Sequence, residues 1–237
     1  MRPKLLIPAL VAACVAPASA LAQGAGFFVG LDASAGMAFG SSSTTNGGAP
    51  WAGGGVVNNV KFGETAGIGG HAGYRFDPAL SAYVSYQYVR GDVSWDATFP
   101  MFGVASDFKG TAVSHVVMGN LAYEFALSDR TSIRTSAGLG LSFNSLSSVM
   151  ETDVGTGLFL ADVADHTRLS PAAQIGAGLQ HRIAPKAMLS LNTSVSYTGS
   201  FETGNTRSGN LGITPITPYK IDDVWRASLS GSIRLEF

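Results

Sequence analysis

Apolar residues recur at every second position in eight segments of this chain, and this alternation limits its fold more than any other feature. In the first segment, Phe27, Val29 and Leu31 share one face, whereas Gly30 and Asp32 share the other. A period of two is that of a β-strand, because helices repeat every 3.6 residues. The sequence therefore predicts an all-β chain. The eight segments lie at about 27–39, 61–76, 80–90, 111–125, 131–145, 167–183, 187–201 and 228–237.

The connections between these segments alternate in length. Short turns fall around 77–79, 128–130 and 184–186. Four long connections, rich in Gly, Ser, Thr, Asn and Asp, lie at about 40–60, 91–110, 146–166 and 202–222. This rhythm is typical of transmembrane β-barrels, which have short periplasmic turns and long extracellular loops. We therefore predict an eight-stranded antiparallel up-and-down transmembrane β-barrel over residues 23–237.

The polar face of each segment carries the smaller residues, which indicates that this face lines the lumen. An eight-stranded barrel has an interior that side chains just fill, so Gly and Ser there leave room for guanidinium groups. The bulky apolar face must then meet lipid, and a closed barrel satisfies every backbone polar group in a bilayer. Aromatic residues cluster at both ends of the segments, as the two interfacial girdles of such barrels do. The girdle near the short turns and termini comprises Phe27, Tyr74, Phe76, Tyr123, Phe125 and Phe237, and the girdle near the long connections comprises Phe39, Tyr86, Tyr88, Phe143, Tyr197, Phe201 and Trp225.

The N-terminus has the features of a secretory signal. Arg2 and Lys4 precede the apolar stretch LLIPALVAACVA, and small residues then offer a cleavage site before Gln23. We therefore expect export and removal of residues 1–22, and no apolar run long enough for a membrane helix follows. Cys14 is the only cysteine, so the mature chain would have no disulfide. Alternatively, Val11-Ala12-Ala13-Cys14 is a loose lipobox that would lipidate Cys14, although the signal before it would be very short.

Nine charged residues fall on the predicted lumen face. In a narrow barrel such charges must pair or stay hydrated. One interpretation is a salt-bridged core that blocks passage, and the alternative is a narrow, arginine-lined channel with a weak preference for anions. Eight strands argue against the channel on size. The predicted lumen charge network is Asp32, Arg75, Glu124, Arg134, Arg168, Arg182, Arg226, Arg234 and Glu236.

Three short motifs add a family resemblance. GGHAGYRF (69–76) and LAYEF (121–125) lead into short turns, and GSIRLEF (231–237) ends the sequence. In this order, after an export signal, they make the chain resemble the small outer-membrane β-barrel family of Gram-negative bacteria, which holds the OmpA transmembrane domain, OmpX and the opacity-type surface proteins. The resemblance implies a monomer in the cell outer membrane, among lipid and lipopolysaccharide, with a role in membrane integrity, adhesion or immune evasion. It also implies that Ile233, Leu235 and Phe237 form the signal read by the barrel-assembly machinery.

The sequence gives little indication of catalysis. Barrels of this kind that remove acyl chains from lipid A carry a His-x-Ser pair, whereas Val116-Val117 follows His115 and Arg182-Ile183 follows His181. The remaining histidines, His71 and His166, share no metal-ligand spacing with these two. We expect no catalytic residues, metal, cofactor or nucleic-acid partner, and a lipid-modifying enzyme stays the third alternative after the channel.

The long connections are acidic, with ten acidic residues against three basic ones. This excess suits solubility, and it also suits binding of divalent cations beside lipopolysaccharide or of a basic host partner. Two connections carry apolar stretches, TFPMFGV (98–104) and GITPITPY (212–219). Phe99, Met101 and Phe102 are therefore candidate contacts for a host or matrix ligand. Alternatively, these stretches pack on each other or extend the strands as a sheet above the membrane.

Overall fold

The regular elements of the chain are all β-strands in the part that the structure describes. A computed structural model describes residues 25–42, 44–46, 55–100, 103–210 and 212–237. The proposed signal segment, with Cys14, lies outside these ranges. The eight long strands are β1 (Gly26–Ser41), β3 (Gly55–Arg75), β4 (Leu80–Phe99), β5 (Val104–Ala126), β6 (Thr131–Asp153), β8 (His166–Ala184), β9 (Ala187–Glu202) and β12 (Lys220–Glu236). Four short strands accompany them: β2 (Thr45–Asn46), β7 (Phe159–Val163), β10 (Thr206–Gly209) and β11 (Gly212–Pro215).

The eight long strands form a closed ring. Each pairs antiparallel with the next long strand in the chain, and β12 returns to β1 through a register that runs from Phe28↔Glu236 to Phe39↔Trp225. Closure removes both free edges of the sheet. The structure therefore confirms the predicted eight-stranded up-and-down barrel. Within the described ranges, no helix has the length and apolar character needed to cross a membrane.

The outer face of the ring is apolar along the lower part of the strands. Leu31, Ile68 and Leu139 point outward and are each about two-thirds exposed or more, at 68%, 67% and 74%. The residues immediately before and after each of them in the sequence point inward and are polar or small, as the alternation predicts. Such an exterior is the surface that a barrel presents to hydrocarbon.

The aromatic girdles lie on the outer face with one exception. Phe201 was expected in the upper girdle, but it is buried inside the barrel with 3% exposure, beside Phe62 at 6.1 Å between ring centroids. The cause is an irregularity at Gly199, which has a φ of 80° and lies where the β9–β12 register shifts. One extra residue in a strand reverses the face on which the following side chains lie.

The strands continue well beyond the length that a bilayer needs. β3 to β6 have 20 to 23 residues, whereas a tilted strand crosses a membrane in about 9–11. The described residues of the four long connections are therefore largely strand, and β7, β10 and β11 pair in order beside the upper half of β6. The sequence left two alternatives for the apolar stretches of the long connections, packing on each other or extending the sheet above the membrane. The described part of the chain does both. We call this region the extension.

The extension has its apolar side chains inside rather than outside. Trp95 stacks on Phe108 with ring centroids 5.4 Å apart, and Tyr219 lies 4.8 Å from Phe108. Tyr219 and Ile216 come from the segment between β11 and β12, which folds into the barrel end. We call the whole cluster the upper core; it comprises Val57, Val93, Trp95, Ala97, Phe99, Phe108, Ala112, Leu146, Val149, Val163, Phe201, Ile216, Tyr219, Ile221 and Val224.

Candidate functional site

The lumen near the short turns is filled by four charged side chains, which we call the lower ion network. Arg234 is 1% exposed and lies within 3.0 Å of Glu124 Oε1 and 3.1 Å of Glu236 Oε1. Arg75 also pairs with Glu236, and the amide of Gln180 lies 3.4 Å from Arg234 Nη2. Two guanidiniums thus face two carboxylates, so this layer of the lumen is neutral and hydrogen-bonded, as buried charges require.

A layer of aromatic groups and a histidine–aspartate contact lies next to this network. His71 Nδ1 lies 2.9 Å from Asp32 Oδ2. The Arg134 guanidinium lies over the ring of Tyr83, 4.6 Å from its centroid, and 6.0 Å from that of Phe28. Both contacts are within cation–π range. Arg134 forms no ion pair with any described residue, although Glu124 lies directly opposite it in the strand register.

Glycines on the inner face make room for these large groups. A Cβ at Gly73 would lie 2.4 Å from Cβ of Tyr83, and a Cβ at Gly30 would lie 2.4 Å from the His71 ring. Separations this short do not occur between real side chains, so both positions need glycine. The sequence predicted that small inward residues would accommodate guanidiniums; at these two positions they accommodate an aromatic ring and an imidazole instead.

Two small cavities follow toward the extension. The first has a volume of about 60 Å³ and is lined mainly by serine hydroxyls together with Asp32, His71 and Arg134. The second, about 30 Å³, lies between Arg226 and the upper core. Arg226 is held by the hydroxyls of Thr65 at 3.0 Å and Ser34 at 2.9 Å.

The upper core closes the lumen at the extension. Two hydrogen bonds to Thr203 hold the backbone of Tyr219 there. Tyr219 N donates to the Thr203 hydroxyl at 2.9 Å, and Thr203 N donates to the Tyr219 carbonyl at 3.0 Å. Burial raises the pKa of the Tyr219 phenol, with a further contribution from the nearby carboxylate of Glu151. Glu151 is itself buried and paired with Arg207. The Tyr219 hydroxyl finds no hydrogen-bond partner among the described residues.

The nine charges predicted to form one lumen network lie at separate places. Four form the lower ion network, and Asp32 pairs with His71 instead of an arginine. Arg168 pairs with Glu202 at the base of the extension. Arg182 donates to the Pro185 carbonyl at 3.3 Å beside a short turn. Arg134 and Arg226 contact rings and hydroxyls rather than carboxylates.

This arrangement, a closed ring with an apolar exterior and a polar, ion-paired interior, agrees with a comparison of the sequence with known families. The profile of the outer membrane protein beta-barrel domain family matches residues 7–214. The chain belongs to that family. Membership implies a location in the outer membrane, and the apolar ring exterior is therefore the lipid-facing surface of an outer-membrane β-barrel. No curated protein sequence matches the chain.

The solved structures to which this chain is similar include three outer-membrane or surface proteins of bacteria. The neisserial surface protein A is 19% identical with a TM-score of 0.45, and the alignment covers 91% of this chain and 100% of that one. Ail, the attachment invasion locus protein of Yersinia pestis, is 11% identical with a TM-score of 0.43 and the same coverage. The outer membrane protein OprG of Pseudomonas aeruginosa is 13% identical with a TM-score of 0.50, covering 91% and 97%. Of these three, the likeness to OprG, at a TM-score of 0.50, supports the fold and nothing further.

The remaining predicted residues of this outer-membrane barrel have defined places. Ile233, Leu235 and Phe237 point outward on the lipid-facing surface, with exposures between 44% and 64%. Phe99, expected as an exposed contact, is instead buried in the upper core, because the extension turns its apolar face inward. Met101 and Phe102 lie outside the described residues.

The histidines make no shared site. His115 and His181 lie on the outer face, where their Nδ1 atoms contact Tyr86 Oη at 2.8 Å and Thr131 Oγ1 at 3.0 Å. Among the described residues, no three His, Cys, Asp or Glu side chains are grouped so as to hold a metal ion.

Sequence reasoning assigned no role to two aromatic residues of the lumen, Phe28 and Tyr83. Phe28 is 1% exposed and contacts both His71 and Arg234. The strand register carried a signal for them: Gly73 pairs with both positions, one on β1 and one on β4. A glycine on the inner face beside an aromatic residue on each neighbouring strand indicates a filled lumen.

Proposed function

We propose that this protein is a non-conducting outer-membrane barrel that stabilises the membrane and presents its extension as a surface for interactions outside the cell. The observation that carries the proposal is that the lumen is filled at two levels, by the lower ion network and by the upper core. A narrow anion channel would need a continuous path through both.

The size of the space between these two levels supports a closed barrel. The cavities measure about 60 and 30 Å³, and one water occupies about 30 Å³ in the liquid. Each therefore has room for one or two waters, far less than a hydrated ion needs to pass. Opening the lumen would require separating Arg234 from its two carboxylates in a layer that excludes water.

The outer surface of the extension supports the interaction role. Asp96 and Asp107 lie directly opposite each other on β4 and β5, and like charges so placed destabilise a sheet. At the tip, Val154 and Leu158 are exposed apolar residues. An acidic face beside an apolar tip suits a partner with a basic surface and an apolar patch.

Conductance in planar bilayers tests the closed lumen. The purified wild-type protein is expected to give no stable single-channel steps. The variant Tyr219→Ala opens the upper core while leaving the lower ion network in place, so it too is expected to stay silent. Steady, reproducible steps from the wild type would refute the proposal and favour the narrow channel.

Binding of a cationic probe tests the surface role. Protein in vesicles of neutral lipid is titrated with a basic peptide, and the double change Asp96→Asn and Asp107→Asn is expected to weaken binding several-fold at low salt. Asp129→Asn on the opposite, short-turn side is the control and should have no effect on extension binding. Equal binding by the wild type and the double variant would remove this face from consideration.

A further inference from the structure

The buried guanidinium of Arg134 lacks the partners that a charge in a membrane interior requires. Arg134 is 8% exposed, and its Nε and Nη2 atoms find no hydrogen-bond partner among the described residues. Its contacts with the Tyr83 and Phe28 rings leave the N–H groups at the guanidinium edge unused. A buried charged donor left without a partner lowers the stability of the folded state, because its lost hydration is not replaced.

The carboxylates near Arg134 are already engaged. Glu124 pairs with Arg234 across the lumen at 3.0 Å, and Asp32 pairs with His71 at 2.9 Å. From the lower ion network up to Arg226, the inward charges are four guanidiniums and three carboxylates. Counted as guanidiniums against carboxylates, the described lumen therefore carries one positive charge in excess.

The cavity beside Arg134 has the chemistry of an anion site. Arg134 lines it together with Asn192 and the hydroxyls of Ser85, Ser136 and Ser230. A guanidinium with converging hydroxyl and amide donors is a set that recognises anions through charge-assisted hydrogen bonds. The one carboxylate in the wall, Asp32, has an oxygen taken by His71.

A glycine makes room for Asn192, a residue of the cavity wall. Gly178 lies directly opposite Arg134 on β8, and a Cβ there would meet the side chain of Asn192 at 2.2 Å. The volume of about 60 Å³ is enough for a single small ion and one water, given about 30 Å³ for a water. It is too small for a phosphate ester, a carboxylic acid of several carbons or a lipid headgroup.

We propose that the middle of the lumen binds one small monovalent inorganic anion of the halide class, with Arg134 as its charged anchor. The ion balances the excess positive charge and satisfies the free guanidinium N–H groups. It rests between two closed layers, so binding involves no conductance, and the inference stands apart from the surface role of the extension.

Refolding in salts that differ only in the anion tests this site. The protein is refolded into neutral-lipid vesicles in sodium gluconate, whose anion is too large for the cavity, and chloride replaces gluconate at constant ionic strength. The urea midpoint of the wild type is expected to rise as chloride is added. Once the site is mostly filled, the midpoint should increase with the logarithm of the chloride concentration, as for a ligand bound only by the folded state. Arg134→Met should lose this dependence.

Arg182→Met is the matched control, because Arg182 lies beside a short turn, where it donates to the Pro185 carbonyl and stands outside the counted lumen charges, so its loss should leave the chloride dependence intact. A wild-type midpoint indifferent to chloride, or the same chloride dependence in Arg134→Met, would overturn the proposal. If Arg134→Met does not refold, bromide-soaked crystals of the wild type decide the matter. An anomalous peak within hydrogen-bond reach of Arg134 supports the site, and its absence at that position overturns it.

Discussion

The substitution Arg234→Met is expected to lower the stability of the barrel strongly. Arg234 contacts both Glu124 and Glu236 with 1% of its own surface exposed. In Arg234→Met, Glu236 keeps Arg75, but Glu124 loses its one ion pair among the described residues and keeps the amide of Gln180 at 3.2 Å. Breaking a buried pair by removing one partner costs about 3–5 kcal/mol, because a charge is left unpaired. We expect the free energy of unfolding to fall by that amount.

The double variant Arg234→Met with Glu124→Gln separates this cause from simple loss of packing. It removes the stranded carboxylate, so it should recover about 2 kcal/mol or more of the loss, since neutral replacements of buried ion pairs are often tolerated. Urea unfolding in lipid vesicles, followed by tryptophan fluorescence, measures both variants. Trp95 in the upper core and Trp225 on the outer face report from different environments.

Arg182→Met is the control, since Arg182 lies beside a short turn and its guanidinium donates to the Pro185 carbonyl. Its cost should stay within about 0.5 kcal/mol, as for ordinary surface changes. A double variant as unstable as Arg234→Met alone would refute the reasoning, because the loss would then not come from a stranded Glu124.

Three further predictions follow from other parts of the barrel. Tyr219→Phe should leave stability unchanged or raise it by up to about 1 kcal/mol, because the buried hydroxyl has no hydrogen-bond partner in the described part of the chain, whereas Tyr219→Ala should cost about 3–5 kcal/mol in urea unfolding. Gly73→Ala should lower stability by about 1–3 kcal/mol or prevent refolding, because its Cβ would lie 2.4 Å from that of Tyr83; a normal yield of heat-modifiable barrel would contradict the close packing. Hydrogen bonds from Thr156 lower the pKa of Asp153, so the turn is stabilised above the carboxyl's unfolded pKa of about 3.9 and loses that support as the pH falls through the lower folded value. An NMR titration of Asp153 that gave a pKa at or above the unfolded value would contradict this contact.

The sequence predicted the ring and its lipid face because both depend on strand periodicity alone. Leu31 and Leu139 face outward simply because they alternate with small polar residues. The pairing of charges across the lumen could not be predicted in this way. Glu124 and Arg134 are cross-strand neighbours, yet Glu124 pairs with Arg234, 110 residues away in sequence. Such partners depend on strand stagger and on side-chain direction within the lumen, which periodicity does not contain.

The extension, by contrast, could have been predicted from the alternation of apolar residues on β4, but the loop-like composition of that segment hid the pattern. On β4 the apolar residues occupy even positions up to Tyr88 and odd positions from Val89 to Phe99, with Trp95 among them. The pairing of β4 with β5 shows no register shift over this stretch, so the strand itself does not change face. The alternation of apolar and polar residues continues through 91–99. The acidic and small residues of this segment are typical of a loop, which is why the segment was predicted to be a connection.

The change of parity on β4 marks the place where the medium outside the barrel changes. Below it, hydrocarbon surrounds the barrel and apolar side chains point outward; above it, water does, and they point inward as in a soluble sheet. The lower part, 80–88, has about the nine residues that a tilted strand needs to cross a bilayer. The upper part, 89–99, extends for roughly 35 Å along the strand at about 3.3 Å per residue. On β9 the same inversion is produced by the irregularity at Gly199. Two different local solutions that reach one result indicate that the inversion follows from the surroundings. The extension therefore has a hydrophobic core of its own, and its outer face can vary in charge without disturbing the lipid-facing barrel.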